Sequence, residues 1–234
     1  MQITFASYNI RKAVGLDRRR DPERILSVLR EIDADVVALQ EADRRFGRRM
    51  SALPLDAIHT STDYVPVPLS MKPDSLGWHG NALLVRRGIE LLEAEPVPLP
   101  VLEPRGAIRA DLALDGVRFR VVGMHLDLSG LRRRLQVRSV LSHVDGCAQE
   151  VPTVLMGDLN EWSNHGGCFQ EFQAPWQVLS PGRSFPSRRP LALLDRIIVS
   201  QQWAIRGTKV HHSPLSAIGS DHLPVFASLE LPKK

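Results

Sequence analysis

Met156-Gly157-Asp158-Leu159-Asn160 closes a short apolar run, Thr153-Val154-Leu155-Met156, with an acid and an amide two residues apart. In extended chain, positions i and i+2 project to the same side. Asp158 and Asn160 so placed can bind a metal, align a water or contact a phosphoryl oxygen. An Asx turn after a strand would use the same two residue types. A second pointed signal is Ser220-Asp221-His222-Leu223-Pro224, a carboxylate adjacent to an imidazole just before an apolar run. An imidazole near neutral pH serves as general acid or base, above all when a carboxylate orients it. Asp195, inside Leu193-Leu194-Asp195-Arg196-Ile197-Ile198, is a charge in an apolar strand and needs a partner. His222 is the candidate; a salt bridge within the sheet is the alternative.

Other polar residues stand at the ends of apolar runs. Glu41 closes Val36-Val37-Ala38-Leu39-Gln40, Asn9 follows Ser7-Tyr8, and His125 follows Met124. Such ends lie at a sheet's rim, where loops and ligands meet. Each also has a bland reading: a surface acid, a turn former, a structural histidine. Asp127 and Ser129 precede a helical pattern and read as caps.

The elements that must position these residues are legible in outline. Residues 2–9 read as a strand. Asp21-Pro22 then supplies an N-cap and a proline at the first helical position, and Ile25, Val28, Leu29 and Ile32 follow at helical spacing. The stretch 43–78 reads as loops with little regular structure. Asn81-Ala82-Leu83-Leu84-Val85 has strand character, and 94–104, with four prolines, reads as extended loop. Alternation at Ile108, Ala110, Leu112 and Leu114, then Asp115-Gly116, predicts a hairpin whose return strand runs from Val117 to Met124. Residues 131–144 have helical spacing with arginines expected on the outer face, and Leu193–Val199, 203–210 and Pro224–Leu231 read as late strands. Each half of the chain thus carries polar groups at the ends of two buried strands separated by one helix. That repeat of architecture suggests two α/β halves whose functional ends meet, in one domain spanning 1–234.

The 234 residues are 43% hydrophobic and 24% charged, ordinary for a globular protein. Cys147 and Cys168 form no CxxC pattern and suggest no disulfide framework. The first residues lack a basic, then apolar, leader pattern, and no stretch approaches a membrane span, so a cytoplasmic protein is expected. The net charge is +4, with arginines clustered at 18–20, 44–45, 48–49, 132–134 and 188–189. Each cluster alone reads as solvated surface; together they suit an anionic substrate. Aromatics are 6% of residues and do not interleave with the basic runs, so no base-stacking platform is visible.

The ordered set Ser-Tyr-Asn9-Ile-Arg, Leu-Gln-Glu41, Gly80-Asn81-Ala-Leu-Leu, His125-Leu, Gly-Asp158-Leu-Asn160, Leu-Asp195-Arg-Ile-Ile and Ser-Asp221-His222 resembles the motifs of the endonuclease/exonuclease/phosphatase superfamily. The match runs from residue 9 to 222 and is closest to small stand-alone bacterial members. The resemblance implies an α/β fold, a four-layer α/β/β/α sandwich of two mixed sheets with helices outside and the site at the rim between the sheets. It implies Glu41 as principal metal ligand, with Asn9 and Asp221 beside it. Oxygen ligands favour Mg²⁺ or Mn²⁺ over Zn²⁺. Asp158 would orient or deprotonate the attacking water, Asn160 and His125 would hold phosphoryl oxygens or aid the leaving group, and His222, oriented by Asp195, would act as base or phosphoryl stabiliser. Arg105 is a further candidate phosphate contact and Asn81 a support behind the site.

The implied activity is hydrolysis of a phosphate ester, a phosphodiester before a monoester. Three readings compete: a small-molecule or lipid diester, favoured by apolar residues in loops 64–77 and 94–104; a nucleic acid, favoured by the arginines; and a catalytically inactive phosphate-binding relative. No obligate protein partner is expected.

Overall fold

The computed structural model describes residues 1–44, 50–69, 74–100 and 105–231. Twelve strands form two six-stranded sheets among these residues. The first has the order β11-β12-β1-β2-β4-β3, from Ala204–Val210, Val225–Glu230, Gln2–Asn9, Val36–Gln40, Ala82–Arg86 and Tyr64–Pro66. The second has the order β5-β6-β7-β8-β10-β9, from Glu90–Val97, Gly106–Leu114, Val117–His125, Thr153–Asp158, Asp195–Val199 and Gln177–Leu179. In each sheet only the third and fourth strands, β1 with β2 and β7 with β8, run parallel. The remaining neighbours are antiparallel. The two sheets therefore share one plan of strand order and direction, more complete than the two-half pattern in the sequence suggests.

Strand periodicity sets what each face does. Ile3 and Phe5 of β1, Val121 of β7, Val154 and Met156 of β8, Ile197 of β10 and Val225 of β12 meet in one core between the sheets. The intervening residues, such as Tyr8 and Leu39, or Met124 and Leu155, face outward against helices. On the first sheet lie α1 (Pro22–Ile32) and the short α2 (Leu55–Ser61), with α4 (Ser216–Gly219) against α1; on the second lies α3 (Gly130–Asp145). The result is the α/β/β/α sandwich. The parallel pairs β1/β2 and β7/β8 require crossovers, and α1 and α3 lie within them.

α1 begins where Asp21 accepts a hydrogen bond from Arg24 N at 3.0 Å and Pro22 takes the first helical turn; it ends at Asp33 in the left-handed region. Ile25, Leu26, Val28, Leu29 and Ile32 are buried. α3 buries Val137, Val140 and Val144, but its arginines are not all outward: Arg133 is buried, 3.1 Å from Glu161, while Arg134 and Arg138 both pair with Glu171. Glu161 is itself buried and accepts from Ser163 N and Cys168 N, so it needs a cation beside it. Ser129 caps no helix with its side chain, and Asp127 accepts from Ser129 N instead.

Two stretches depart from the expectation. The segment 43–78 holds α2 and β3, and β5 runs through Pro96. β5 is an edge strand, where a missing N–H costs no ladder bond. Val67 and Leu69 pack into the inter-sheet core and Leu99 against the α3 side, so they form no apolar rim. Val101 and Leu102, with Arg45, Arg48 and Arg49, lie outside the described residues. Cys147 and Cys168 are free thiols, and no helix among the described residues is long and apolar enough to cross a membrane.

Candidate active site

The inward rows that build the inter-sheet core turn polar at one end. Following Ile3, Phe5 and Ser7, the next inward position of β1 is Asn9; after Val121 and Gly123 on β7 it is His125; after Val154 and Met156 on β8 it is Asp158. Asp195 opens the inward row of β10. Pairing register then places His125 opposite Asp158 and Asp158 opposite Asp195, a row across three neighbouring strands. Asn9 reaches the same row from the other sheet. Its Nδ2 donates to Asp158 Oδ2 at 2.9 Å.

Gly157 is what lets this row close. A Cβ at that position would stand 1.8 Å from the Met124 carbonyl oxygen. The glycine thus serves close strand approach within β8, whereas the left-handed turn of the motif falls on Asn160, with φ 50°. Asn160 donates from N to Asp158 Oδ1 at 3.0 Å and from Nδ2 to Leu126 O at 2.9 Å. It ties the ends of β8 and β7 together.

His222 enters from the loop before β12. Its Nδ1 lies 2.8 Å from Asp195 Oδ2 and its Nε2 lies 3.7 Å from Asp158 Oδ2. Burial opposes its charge, but Asp195 and Asp158 outweigh that and raise its pKa to about 10. His125 is the opposite case: burial, with Arg105 and His222 nearby, pushes it down to about 3 despite Asp158. One imidazole is cationic at neutral pH and the other is neutral. Arg105 contacts His125 Nε2; a guanidinium can only donate, so that nitrogen accepts. The 3.4 Å from His125 Nε2 to Asp158 Oδ2 is therefore proximity without an ion pair.

Glu41 and Asp221 stand at the edge of this group. Glu41 follows β2 with φ 52°, its backbone against Gly80. Its carboxylate contacts the ammonium of Lys12, and Asp221 Oδ2 lies 3.4 Å from Arg11 Nε. Arg11, Lys12 and Ala13 form a tight turn with φ of 46°, 58° and 57°. Left-handed conformation costs a residue with a side chain roughly 1–2 kcal/mol. Asn9 Oδ1 accepts from Arg11 N, so in this structure Asn9 serves Asp158 and the turn. Asn81 is buried; its Nδ2 lies 3.4 Å from Trp78 O and its Oδ1 has no partner among the described residues.

Two supports, Ser184 and Phe185, carried no signal in the sequence, and Ser220 stood in the Ser-Asp221-His222 motif with no role of its own. Ser184 donates to Asp195 Oδ2. Ser220 donates to Asn9 O at 2.6 Å, fastening the Asp221-His222 loop to the end of β1. Phe185 packs on His222, with ring centroids 4.9 Å apart. Serine at a loop is too common for its type to point at such a role.

Asp158, Asp195 and His222 each bring an atom within 4.8 Å of the others, a spacing that could hold a cation. An imidazolium, protonated on both ring nitrogens, offers a cation no lone pair and is a poor ligand. The partly exposed oxygens of Glu41 and Asp221, each already drawing a positive group, fit a hard divalent ion better.

The motif residues Asn9, Asp158, Asp195 and His222 thus converge at one end of the two-sheet sandwich. Residues 6–222 match the profile of the Endonuclease/Exonuclease/phosphatase family, and the chain belongs to that family. Its members are hydrolytic phosphoesterases and nucleases, in general dependent on divalent metal. The chain is 26% identical over 248 aligned positions to the uncharacterized protein YbhP of Escherichia coli K12, covering 95% of this chain and 94% of YbhP. The fold is similar to that of D. rerio TDP2 complexed with a single-strand DNA product, with TM-score 0.75, 17% identity, and 98% and 99% of the two chains covered. It is also similar to the Bacteroides thetaiotaomicron mannosyl-6-phosphatase Bt3783, with TM-score 0.75, 19% identity, and 98% and 100% covered.

Proposed function

We propose that the chain is a divalent-metal-dependent phosphodiesterase, cytoplasmic in location, that attacks its substrate with a water activated at Asp158. The observation that carries this reading is the convergence on Asp158: Asn9 at 2.9 Å, His222 at 3.7 Å and the backbone of Asn160 at 3.0 Å hold one carboxylate at the inter-sheet rim. Glu41 and Asp221, with Asn9 beside them, would hold Mg²⁺ or Mn²⁺. The bound ion supplies polarisation of the phosphoryl group and offsets charge on the leaving oxygen.

The chain's own groups divide the remaining work. His222 is protonated at neutral pH, which suits it to stabilise a phosphoryl oxygen and leaves Asp158 to take the water's proton. Asp195, with Ser184, holds the imidazolium in place. Neutral His125 with Arg105 faces the same carboxylate and would meet the phosphate or its leaving group. Asn160 keeps the β7 and β8 ends in register, and Asn81 would support the site from behind.

The rim favours a small or lipid-type diester over a polynucleotide. Leu128, Leu131 and Trp162 are 65%, 73% and 66% exposed, and all three follow β7 or β8 where those strands reach the site. By contrast, Arg133 and Arg134 of the 132–134 cluster are committed to Glu161 and Glu171. Hydrolysis of bis-p-nitrophenyl phosphate, p-nitrophenyl phosphate and supercoiled plasmid with Mg²⁺, Mn²⁺ or EDTA tests the reading. Diester cleavage lost in EDTA and in Glu41→Ala, with the mutant still folded by circular dichroism, is expected. Plasmid nicking lost in the mutant would make the protein a nuclease. Metal-dependent turnover retained by Glu41→Ala would remove the assignment of the site.

A further inference from the structure

The turn at Arg11–Ala13 is unusual in a way that its role as a connection does not explain. Three consecutive residues, none a glycine, have φ of 46°, 58° and 57°. The surroundings fix this conformation at many points. Ile10 N donates to Gln40 O at 3.0 Å, Arg11 N to Asn9 Oδ1 at 3.1 Å, Lys12 N to Glu41 O at 3.0 Å, and Asp21 N to Ala13 O at 2.8 Å. Backbone strain maintained this firmly is a pointer to function. The turn's product is plain: two cationic side chains in sequence, each laid against one of the two rim carboxylates, Lys12 on Glu41 and Arg11 on Asp221.

A connection between β1 and α1 would be served as well, and with less strain, by glycine at position 12. Lysine there adds an ammonium with three donors on a flexible stem, a compact charge able to turn from one anion to another. An ammonium and a dication on one carboxylate would repel each other, and the flexible stem of Lys12 would let the ammonium turn to a phosphate held by that dication.

We propose that Lys12 is a substrate-binding residue, which exchanges the Glu41 carboxylate for a phosphoryl oxygen of the substrate when a divalent cation binds at Glu41. The inference rests on the phosphoesterase reading and adds to it a coupling between two ligands. The cation displaces the ammonium, the displaced ammonium grips the phosphate, and by linkage each ligand strengthens the other. Nothing covalent changes, and Lys12 remains charged throughout.

The test is Mn²⁺ binding, followed by electron paramagnetic resonance with and without inorganic phosphate, in the wild type, Lys12→Met, Lys12→Arg and Lys12→Gly. Wild-type Mn²⁺ affinity should rise roughly tenfold when phosphate is added. Lys12→Met should bind Mn²⁺ more tightly than wild type without phosphate, lose the phosphate enhancement, and raise KM for bis-p-nitrophenyl phosphate more than it lowers kcat. Lys12→Arg should recover part of the coupling. Lys12→Gly should behave as Lys12→Met in binding while unfolding at a higher temperature than wild type, because glycine suits the left-handed turn. If Lys12→Met and Lys12→Gly keep wild-type Mn²⁺ affinity and phosphate coupling in a protein that cleaves the diester, Lys12 is structural and the proposal fails alone. A wild type that neither binds Mn²⁺ nor cleaves any ester overturns the phosphoesterase reading and the proposal together.

Discussion

In the proposed mechanism Asp158 and His222 form the central pair, and their environments suit them to different duties. The imidazole has carboxylates on both sides, Asp195 at 2.8 Å and Asp158 at 3.7 Å, so its proton is held to about pH 10. A raised folded pKa stabilises the protein fully below the unfolded value near 6.5, and that contribution disappears as pH rises through about 10. His125 has the opposite sign: its folded pKa of about 3 makes its contribution complete above 6.5 and lost as pH falls toward 3. If His222 acts as the phosphoryl stabiliser, kcat/KM should hold across neutral pH and fall only on the far alkaline side, near pH 10. Asp195→Asn removes an attractive partner and should move that limb to lower pH. A kcat/KM that instead climbs with pH along an ascending limb moved by Asp195→Asn would show that His222 works as the base, and an alkaline limb unmoved by the substitution would remove His222 from the pH dependence.

Strand alternation explains how much of the site can be read from the chain. Asn9, His125, Asp158 and Asp195 each extend or open an inward-facing row, so an apolar run that turns polar at its end marks them. Lys12, Ser184, Ser220 and the buried Arg133 do not announce themselves this way. Their roles depend on which distant segment the fold lays beside them, as Ser220 lies beside Asn9 across 211 positions. The same division holds for elements. α1, β2, β6 and β7 have clear periodicity and turn signals, while β3 and β9 are three-residue strands with no pattern long enough to see. Gly157 serves a strand contact that only the sheet reveals. Gly157→Ala should therefore cost about 1–3 kcal/mol by forcing β7 and β8 apart, measured by urea denaturation, and should reduce activity through the displaced Asp158. Wild-type stability in that variant would mean that the backbone absorbs the extra carbon without strain.

At the scale of the molecule, the two sheets place different residues on equivalent positions. Asn9 pairs in register with Gln40 on the first sheet, as His125 pairs with Asp158 on the second. Asp158 thus belongs to one sheet, and Glu41 lies one residue beyond the equivalent position on the other. A site divided in this way needs both sheets at a fixed separation. Gly123 is part of how that separation is kept small, since a Cβ there would stand 3.1 Å from Leu83 and 3.2 Å from Ala38 across the core.

The shared strand order also bears on how the chain might be rewired. β5 to β10 make one sheet from consecutive chain, whereas the other joins β11 and β12 to β1 through β4. Met1 N lies 3.1 Å from Leu231 O, which brings the two ends of that second set together. A circular permutant that links these ends through a short flexible segment, and opens between Gly88 and Ile89, would turn the protein into a tandem of two contiguous six-stranded units. It should fold cooperatively and retain Glu41-dependent hydrolysis, read by thermal melting and the diester assay, because no strand pairing and no site residue is cut. Loss of cooperative folding would show that the direct connection from β4 to β5 is itself needed to set one sheet upon the other.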